Sequence, residues 1–448
     1  MMMRLRSTAL ALATAAVLAA GVTACGSSAK PAVTGAGGAT GKSPLAGQTV
    51  SVAAVWTGAE QTAFQQVLAA FTAKTGIKAT FTSTGDNLTA VVGSKIAGGD
   101  AMDVVMAPQV GVIQQFAQKG WLSPLNAQVA ADAKQNFSSV WTGFGTVDST
   151  YYGLYFKAAF KSTVWYSPAA FSNAGISAPP ATWPDLLKDA QTLTDSGAGG
   201  IAVGGQDGWT LTDWFENIYL SQAGPDKYDQ LTKHQIPWTD PSVTRALTTL
   251  GAFFADQKII AGGDQGALHT DFPTSVSDVF GPKPKAGIVY EGDFVAGNIT
   301  TLKKTVGTDA NFFPFPAVDG GKPPVMGGGD AAVILKAGKD QAAAQALVDY
   351  LATPEAATVW ARLGGFLSPN KNLDPSSYPD ATTKALATAL IGSGDSFRFD
   401  MSDQTPPAFG GTPGAGEWKA LQDFLAKPAD VQGAAAKLEA AAASAYKG

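Results

Sequence analysis

Thr49-Val50-Ser51-Val52-Ala53-Ala54-Val55-Trp56 decides how this 448-residue chain is built. Val50, Val52 and Val55 make it a buried strand. A helix follows from about Glu60. Phe64, Val67, Leu68 and Phe71 recur there at i, i+3, i+4 and i+7, which gives one apolar face. Gly76 stands where a left-handed cap would end it. Ile77, Ala79 and Phe81 then alternate as a second strand. A second helix is predicted near Asn87–Ala97, and Asp103–Met106 makes a third strand. Strand–helix–strand alternation predicts an α/β protein with a parallel sheet, and ligands bind beyond the strand ends in such sheets. Trp56, Glu60, Asp86, Asp103 and Gln109 fall at or just past those ends. Each also has a plain structural reading.

Further along, Tyr151–Tyr166 is aromatic-rich, with Lys157 and Lys161 inside it, and reads as an extended crossover. Thr182-Trp183-Pro184-Asp185 starts a helix, with Thr182 as cap and Asp185 reaching back. In the helix after Gly208, Leu211, Trp214, Phe215, Ile218 and Tyr219 share a face that reads as core. Trp209 and Asp213 lie in its first turn, apart from that packing. Asp240-Pro241 opens another helix, and Ala286–Tyr290 is a strand that ends in Glu291-Gly292-Asp293-Phe294. Gly327-Gly328-Gly329 before Asp330 marks a close backbone approach, a hinge or a plain turn. Ala331–Leu335 is a strand, and Gly365–Asn370 resembles a second return crossing. Phe397–Asp400 alternates as a strand with Arg398 and Asp400 on one side. Gly416–Lys447 reads as two alanine-rich helices.

At the N-terminus, Arg4 and Arg6 precede an alanine- and leucine-rich run that ends Val22-Thr23-Ala24-Cys25. A basic start, an apolar middle and small residues describe a secretory signal over 1–24. The cysteine placement resembles a bacterial lipobox, with Cys25 as the acylated residue. Two or more acyl chains tether stably, and one only marginally. The alternative is an uncleaved membrane anchor, for which the alanine content is poor. Residues 25–45, rich in Gly, Ala, Ser, Thr and Pro, form a flexible tether.

Composition removes several function classes. A formal net charge of −5 and a pI near 5.1 argue against nucleic-acid binding. One cysteine leaves no thiol pair for a disulfide. His234 and His269 lack metal-ligand spacing, so no metal and no cofactor are expected. Gly41-Lys42-Ser43 lacks the earlier glycine of a phosphate loop, and no G-x-S-x-G serine elbow is present. Lys74-Thr75-Gly76 matches one β-lactamase element without its companions.

Six segments together resemble the family 1 extracellular solute-binding proteins of ABC importers, of the maltose-binding-protein type and nearest the α-glucoside-binding (AglE-like) subgroup. They are KAAFKSTVWYSPAAF from Lys157, GWTLTDWFENIYLSQAG from Gly208, YEGDF from Tyr290, GGGDAAVIL from Gly327, LATPEAATVWARLGGFLSPNK from Leu351 and FRFDMSDQTPPAFGG from Phe397. The resemblance implies a periplasmic-binding-protein-like fold of type II. Its two α/β lobes would be joined by a hinge, over 46–154 plus 329–366 and over 155–328 plus 367–448. It implies a non-enzymatic, lipid-anchored, monomeric receptor on the extracytoplasmic face of the cell membrane, which hands a sugar to an ABC permease. The sugar would be a neutral di- or oligosaccharide such as maltose, trehalose or sucrose. Hydroxyls pair with carboxylates and amides, and indoles cover the C–H faces. Lobe one would offer Trp56, Glu60, Asp86, Asp103 and Gln109. Lobe two would offer Trp209, Asp213, Glu291, Asp293 and Arg398, with Lys157, Gly328 and Asp330 at the crossings. A secreted glycoside hydrolase with two carboxyls about 5–9.5 Å apart, or a glycan-binding adhesin, stands as the alternative.

Overall fold

The computed structural model describes residues 43–393 and 396–447. The signal over 1–24, the acylation at Cys25 and the tether up to residue 42 lie outside the described residues.

The strand read from Thr49 is Thr49–Ala54, the last but one in a seven-stranded sheet. It pairs in parallel with Lys78–Ser83 on one side and Val104–Ala107 on the other. The helix between the first two strands, Gly58–Thr75, buries Phe64, Val67, Leu68 and Phe71 against them. Each of those side chains contributes about 1.5–3 kcal/mol through burial. Gly76 closes the helix in the left-handed conformation, its N–H bonded to Thr72 O.

The sheet is not wholly parallel. Met326–Leu335 runs antiparallel to both Val104–Ala107 and Gly153–Phe160. Met326–Leu335 and its parallel partner Arg398–Phe399 come back from later in the chain and run against the first three strands, whereas Gly153–Phe160 runs with them.

The three glycines form no turn. They belong to Met326–Leu335, a single ten-residue strand that is buried throughout. Gly327–Asp330 lie opposite Phe160–Lys157. A Cβ on Gly327 would come within 2.3 Å of Ala159 O, and one on Gly329 within 2.6 Å of Lys157 O. Close backbone approach is the reason for the run. Ala158 N also bonds to Leu367 O at 2.8 Å. The crossover and both returns therefore run side by side.

A second sheet takes Asn311–Pro314, Thr163–Tyr166, Ile288–Tyr290 and Ile201–Ala202 in that order. Its core includes Leu211, Trp214, Phe215, Ile218 and Tyr219, the face predicted for the helix Trp209–Thr232. Gly224 leaves helical geometry within that span, just before Pro225. Thr182 Oγ1 accepts from Asp185 N and donates to Asp185 Oδ2, so the predicted cap forms. Gly416–Ala426 and Val431–Ala445 are the two C-terminal helices. Among the described residues no helix is long and apolar enough to cross a membrane.

The glycine run makes a direct prediction. Gly327→Ala should lower stability by about 1–3 kcal/mol, because a backbone oxygen cannot step aside as a side chain does. Urea unfolding measures this, and an unchanged midpoint would show that the strands can separate at no cost.

Candidate ligand-binding cleft

The three parallel strands end at one cavity of about 310 Å³. Trp56, Thr57 and Glu60 follow the first strand, Asp86, Leu88 and Thr89 the second, and Pro108, Gln109 and Val112 the third. Asp207 and Trp209 before and at the start of Trp209–Thr232 line it too, as do Asp271 and Phe272 at the start of the helix Phe272–Phe280. Lys157, Ala159, Lys161, Gly329 and Asp330 reach it from the side-by-side crossings. Phe294, Asp403, Gly411 and Trp418 also line it.

Two ammonium groups, Lys157 buried and Lys161 half-buried, organise the charges. Lys157, 3% exposed, has its Nζ 3.0 Å from Glu60 Oε1 and 3.6 Å from Asp330 Oδ2, and 5.2 Å from the Phe294 ring centroid. Burial works against its charge, but Glu60, Asp330 and Asp293 outweigh it and hold the ammonium above its ordinary range. The pairing is asymmetric. Burial dominates at Asp330 and pushes its carboxyl up to about 6 in spite of Lys157. Lys161 Nζ lies 3.2 Å from Asp213 Oδ1, is hydrogen-bonded to Asp400 and is 3.8 Å from Asp403 Oδ2. Burial raises Asp213 and Asp403, whereas Lys161 and hydrogen bonds hold Asp400 below its usual range against that burial. Asp400 therefore carries the anion of this group, and its neighbours retain protons more readily.

The aromatic rings divide between cavity and core. Trp209 is half-buried and sits 5.4 Å from Phe272 and 6.0 Å from Phe294, centroid to centroid. Its ring is also 5.6 Å from Lys161 Nζ. Trp56 reaches the cavity but is only 3% exposed, packed edge-on against Phe64 and Trp360 at 4.8 and 5.0 Å.

Of the thirteen ligand contacts expected, the structure brings Trp56, Glu60, Asp86, Gln109, Lys157, Trp209 and Asp330 to the cavity. The remaining six are placed elsewhere. Asp103 accepts from Ser51 N and Oγ at 2.8 and 2.6 Å and from Asp340 N at 2.9 Å, so it clasps the first strand to the helix Gln341–Leu351. Asp213 is sealed behind Lys161, although it was expected to stand clear of the packing. Glu291 is buried near that group, and Asp293 Oδ1 accepts from Phe160 N at 2.7 Å. Gly328 lies beneath the Lys161–Asp403 pair: a Cβ there would be 3.2 Å from Asp403 Oδ2. Arg398 pairs with Asp229 at 2.8 Å, away from the cavity. Its strand is only Arg398–Phe399, and Asp400 already caps the next short helix, so the expected alternation ends before the two side chains can share a side.

Lys161, Asp207, Asp271, Phe272, Phe294, Asp403 and Trp418 were not singled out from the sequence. For Lys161 a signal existed, since positions four apart in an extended segment share a face. For the others, only the tertiary fold brings them to the cavity. Among the described residues no group of three or more His, Cys, Asp or Glu is arranged to hold a metal ion.

Fold and cavity together define a two-lobed α/β binding protein with its ligand cleft between the lobes. Comparison places it more closely. Residues 56–358 match the family described as bacterial extracellular solute-binding protein, and the chain belongs to that family. It is 33% identical over 384 residues to the osmoprotective compounds-binding protein GgtB of Synechocystis sp., covering 84% of this chain and 88% of that protein. It is 32% identical over 396 residues to the alpha-glucosides-binding periplasmic protein AglE of Rhizobium meliloti, covering 85% and 84%. The solved structure of the bacterial solute receptor AcbH, described as having an exclusive preference for β-D-galactopyranose, shares the fold. Its TM-score is 0.76 at 23% identity, covering 89% of this chain and 99% of that one.

Two predictions follow from the charges. Lys157→Met leaves Glu60 and Asp330 without their cation and should cost about 3–5 kcal/mol in urea unfolding, as removal of one partner of a buried pair does. A loss near zero would mean that both carboxyls simply take up protons. The second concerns pH. Burial raises Asp86 and Asp330 to about 6 and Asp293 to about 7, all from 3.8. Each therefore binds its proton more tightly when folded. The stability they contribute is complete below 3.8 and is lost as pH rises through about 6 to 7. Asp400 opposes this only at the acid end, where its contribution is lost as pH falls below the ordinary aspartate range. The thermal midpoint should be higher at about pH 5 than at about pH 8; the reverse order would assign these carboxyls ordinary values.

Proposed function

We propose that this chain is the solute-binding component of an ABC importer for a neutral di- or oligosaccharide, with an α-glucoside such as maltose, trehalose or sucrose as its cargo. The observation that carries the reading is the cavity itself: aromatic rings beside carboxylates, at the ends of three parallel strands, with both lysines already engaged by acids. Ionised carboxylates accept hydroxyl protons, and the indole of Trp209 covers an apolar sugar face. An anionic ligand would find few uncommitted cations there. The relatives named for what they bind, GgtB for osmoprotective compounds and AglE for alpha-glucosides, support a small polar solute of this kind.

In this reading lobe one is 46–154 plus 329–366 and lobe two is 155–328 plus 367–448. Trp56, Glu60, Asp86 and Gln109 serve from the first, Trp209 from the second, and Lys157 and Asp330 from the crossings. Asp213, Glu291, Asp293 and Gly328 act behind them by holding the two lysines and the crossing strands. A ligand that touches both walls favours the closed state, because only closure makes both sets of contacts. Micromolar affinity needs about −8 kcal/mol, within reach of a stacked ring and several satisfied hydroxyls. Acylation at Cys25 would keep the receptor beside its permease, as a monomer.

A thermal-shift panel of mono-, di- and trisaccharides tests this. A glucose-containing di- or oligosaccharide should raise the melting temperature, and galactose and amino acids should not. Trp209→Ala should abolish that rise, at some cost to the unliganded midpoint because the ring packs on Phe272 and Phe294. Free glucose accumulating from an intact disaccharide would point instead to a hydrolase.

A further inference from the structure

The seven-stranded sheet has two ends, and the cavity lies at one of them. At the other end Lys78–Ser83, Thr49–Ala54 and Val104–Ala107 all begin, and Met326–Leu335, which runs the opposite way, stops. Paired strands lie about 4.8 Å apart, so the loops at this end are held close together. Four exposed lysines gather there around one half-buried ring. Lys119 Nζ lies 4.6 Å from the Trp121 ring centroid, and Lys336 N donates to Trp121 O at 2.7 Å. Lys95 and Lys339 share one carboxylate, Asp100, at 2.7 and 3.7 Å. Asp100 is exposed, whereas Asp103 is 4% exposed and Asp340 is half-buried. Lys74 and Lys78 continue the row toward the edge of the sheet, with Lys74 paired to Glu355.

Helix ends account for only part of this. Lys95 and Lys119 close the helices Leu88–Ala97 and Val110–Gln118, where a cation suits the negative end of the helix. Lys336 and Lys339 follow a strand and have no such duty. The chain also enters at this end. Ser43 N donates to Thr75 O and Gly47 N to Gly76 O, so whatever precedes Ser43 departs beside Lys74 and Lys78. Seventeen residues lie between Cys25 and Ser43, and fully extended they reach about 60 Å at most.

The geometry points to this end of the sheet as a docking surface for a bilayer of anionic lipid. The inference rests on the lipid-anchor part of the reading above. The side chains of Lys95 and Lys339 are 45% and 70% exposed, too open to enclose a single phosphate group. A plane of many headgroups needs no enclosure, and an indole among cations suits the boundary between water and lipid. One acyl chain holds a protein only marginally, and a basic patch supplies the second signal. The patch itself need bind only weakly, because a lipid at Cys25 keeps it at high local concentration. Seated this way, the cavity at the opposite strand ends faces away from the membrane, toward incoming solute.

The test is co-sedimentation of the chain from residue 25, carrying Cys25→Ser, with vesicles of phosphatidylcholine alone and with vesicles containing about one-third phosphatidylglycerol. Binding is expected to the anionic vesicles and not to the neutral ones, and it should be lost at about 0.5 M salt. Lys95→Gln, Lys119→Gln, Lys336→Gln and Lys339→Gln together should weaken it at least about 10-fold, since each lysine near an anionic surface is worth about 5-fold. All four are exposed, so this variant should melt like the original; should it not, Lys336→Gln with Lys339→Gln carries the same test at about 5-fold or more. Lys303→Gln with Lys304→Gln, an exposed pair outside this end, should leave binding nearly unchanged. Equal binding to both vesicles, binding to neither, full retention in the quadruple variant or an equal loss in the Lys303 and Lys304 control would each overturn the surface. Inorganic phosphate at matched ionic strength should not compete; if it does, the lysines form a phosphate site and the docking surface falls. The mass of the Cys25 peptide from cells reads the anchor separately. An unmodified Cys25 removes the anchor, and the vesicle result alone then decides the surface.

Discussion

Two lysine ammonium groups taken out of water set the terms for the rest of the molecule. Lys157 lies within the strand Gly153–Phe160 and Lys161 just beyond it. Desolvating an ammonium costs several kcal/mol unless acids surround it. The acids are recruited from every part of the chain. Glu60 comes from the first helix, Asp330 from the returning strand, Asp213 from the helix Trp209–Thr232, and Asp400 and Asp403 from the last third. Segments hundreds of residues apart in sequence are thus held to one small region by charge. A buried pair is weak evidence for net stability but strong evidence for a specified arrangement, since each alternative placement strands a charge.

That arrangement depends in turn on backbone proximity. Met326–Leu335 can bring Asp330 toward Lys157 only because Gly327 and Gly329 let it lie against Phe160–Lys157 without side chains between. Gln109 Nε2 donates to Gly410 O at 3.1 Å, which ties the third strand's loop to the C-terminal segment across the same region. The cleft is thus bounded by strand ends on one side, helix starts on the other, and crossing strands beneath.

Much of this was legible from residues alone, where local pattern and tertiary role coincide. The valines of Thr49–Ala54, the apolar face of Gly58–Thr75 and the buried face of Trp209–Thr232 follow from periodicity, because what one face buries is decided within the segment. Strand ends led to Trp56, Glu60, Asp86 and Gln109 because a parallel sheet delivers its loops to one edge. The same rule misplaced Asp103, which precedes its strand and turns back to Ser51 instead of forward to the cavity. It also could not separate Asp213 from Asp207, six residues apart. One is consumed by Lys161 and the other is left over, and only three-dimensional pairing decides which. The mixed sheet was missed because the antiparallel returns come from strands far along the chain, beyond any local pattern.

In the reading proposed above, the distinction between consumed and uncommitted acids is what would make this acidic protein a selective receptor. If every carboxylate of the region faced the ligand, the cavity would be a strongly negative hole that favoured any cation. Instead Asp213, Asp400 and Asp403 converge on Lys161, and Glu60 and Asp330 on Lys157, and burial helps Asp213 and Asp403 keep their protons, so much of the negative charge is neutralised at short range. What remains for a solute is a small number of acceptors, Asp86 and Asp207, the latter held by Phe272 N, on the same cavity as the rings of Trp209 and Phe272. Few charges and fixed directions suit a ligand that carries no charge but many hydroxyls, because selectivity then comes from the count and placement of hydrogen bonds and not from attraction at a distance. In the saccharide reading proposed above, the lysines bear on specificity chiefly through their pairing: by absorbing the surplus acids, they decide which carboxylates are left for a solute.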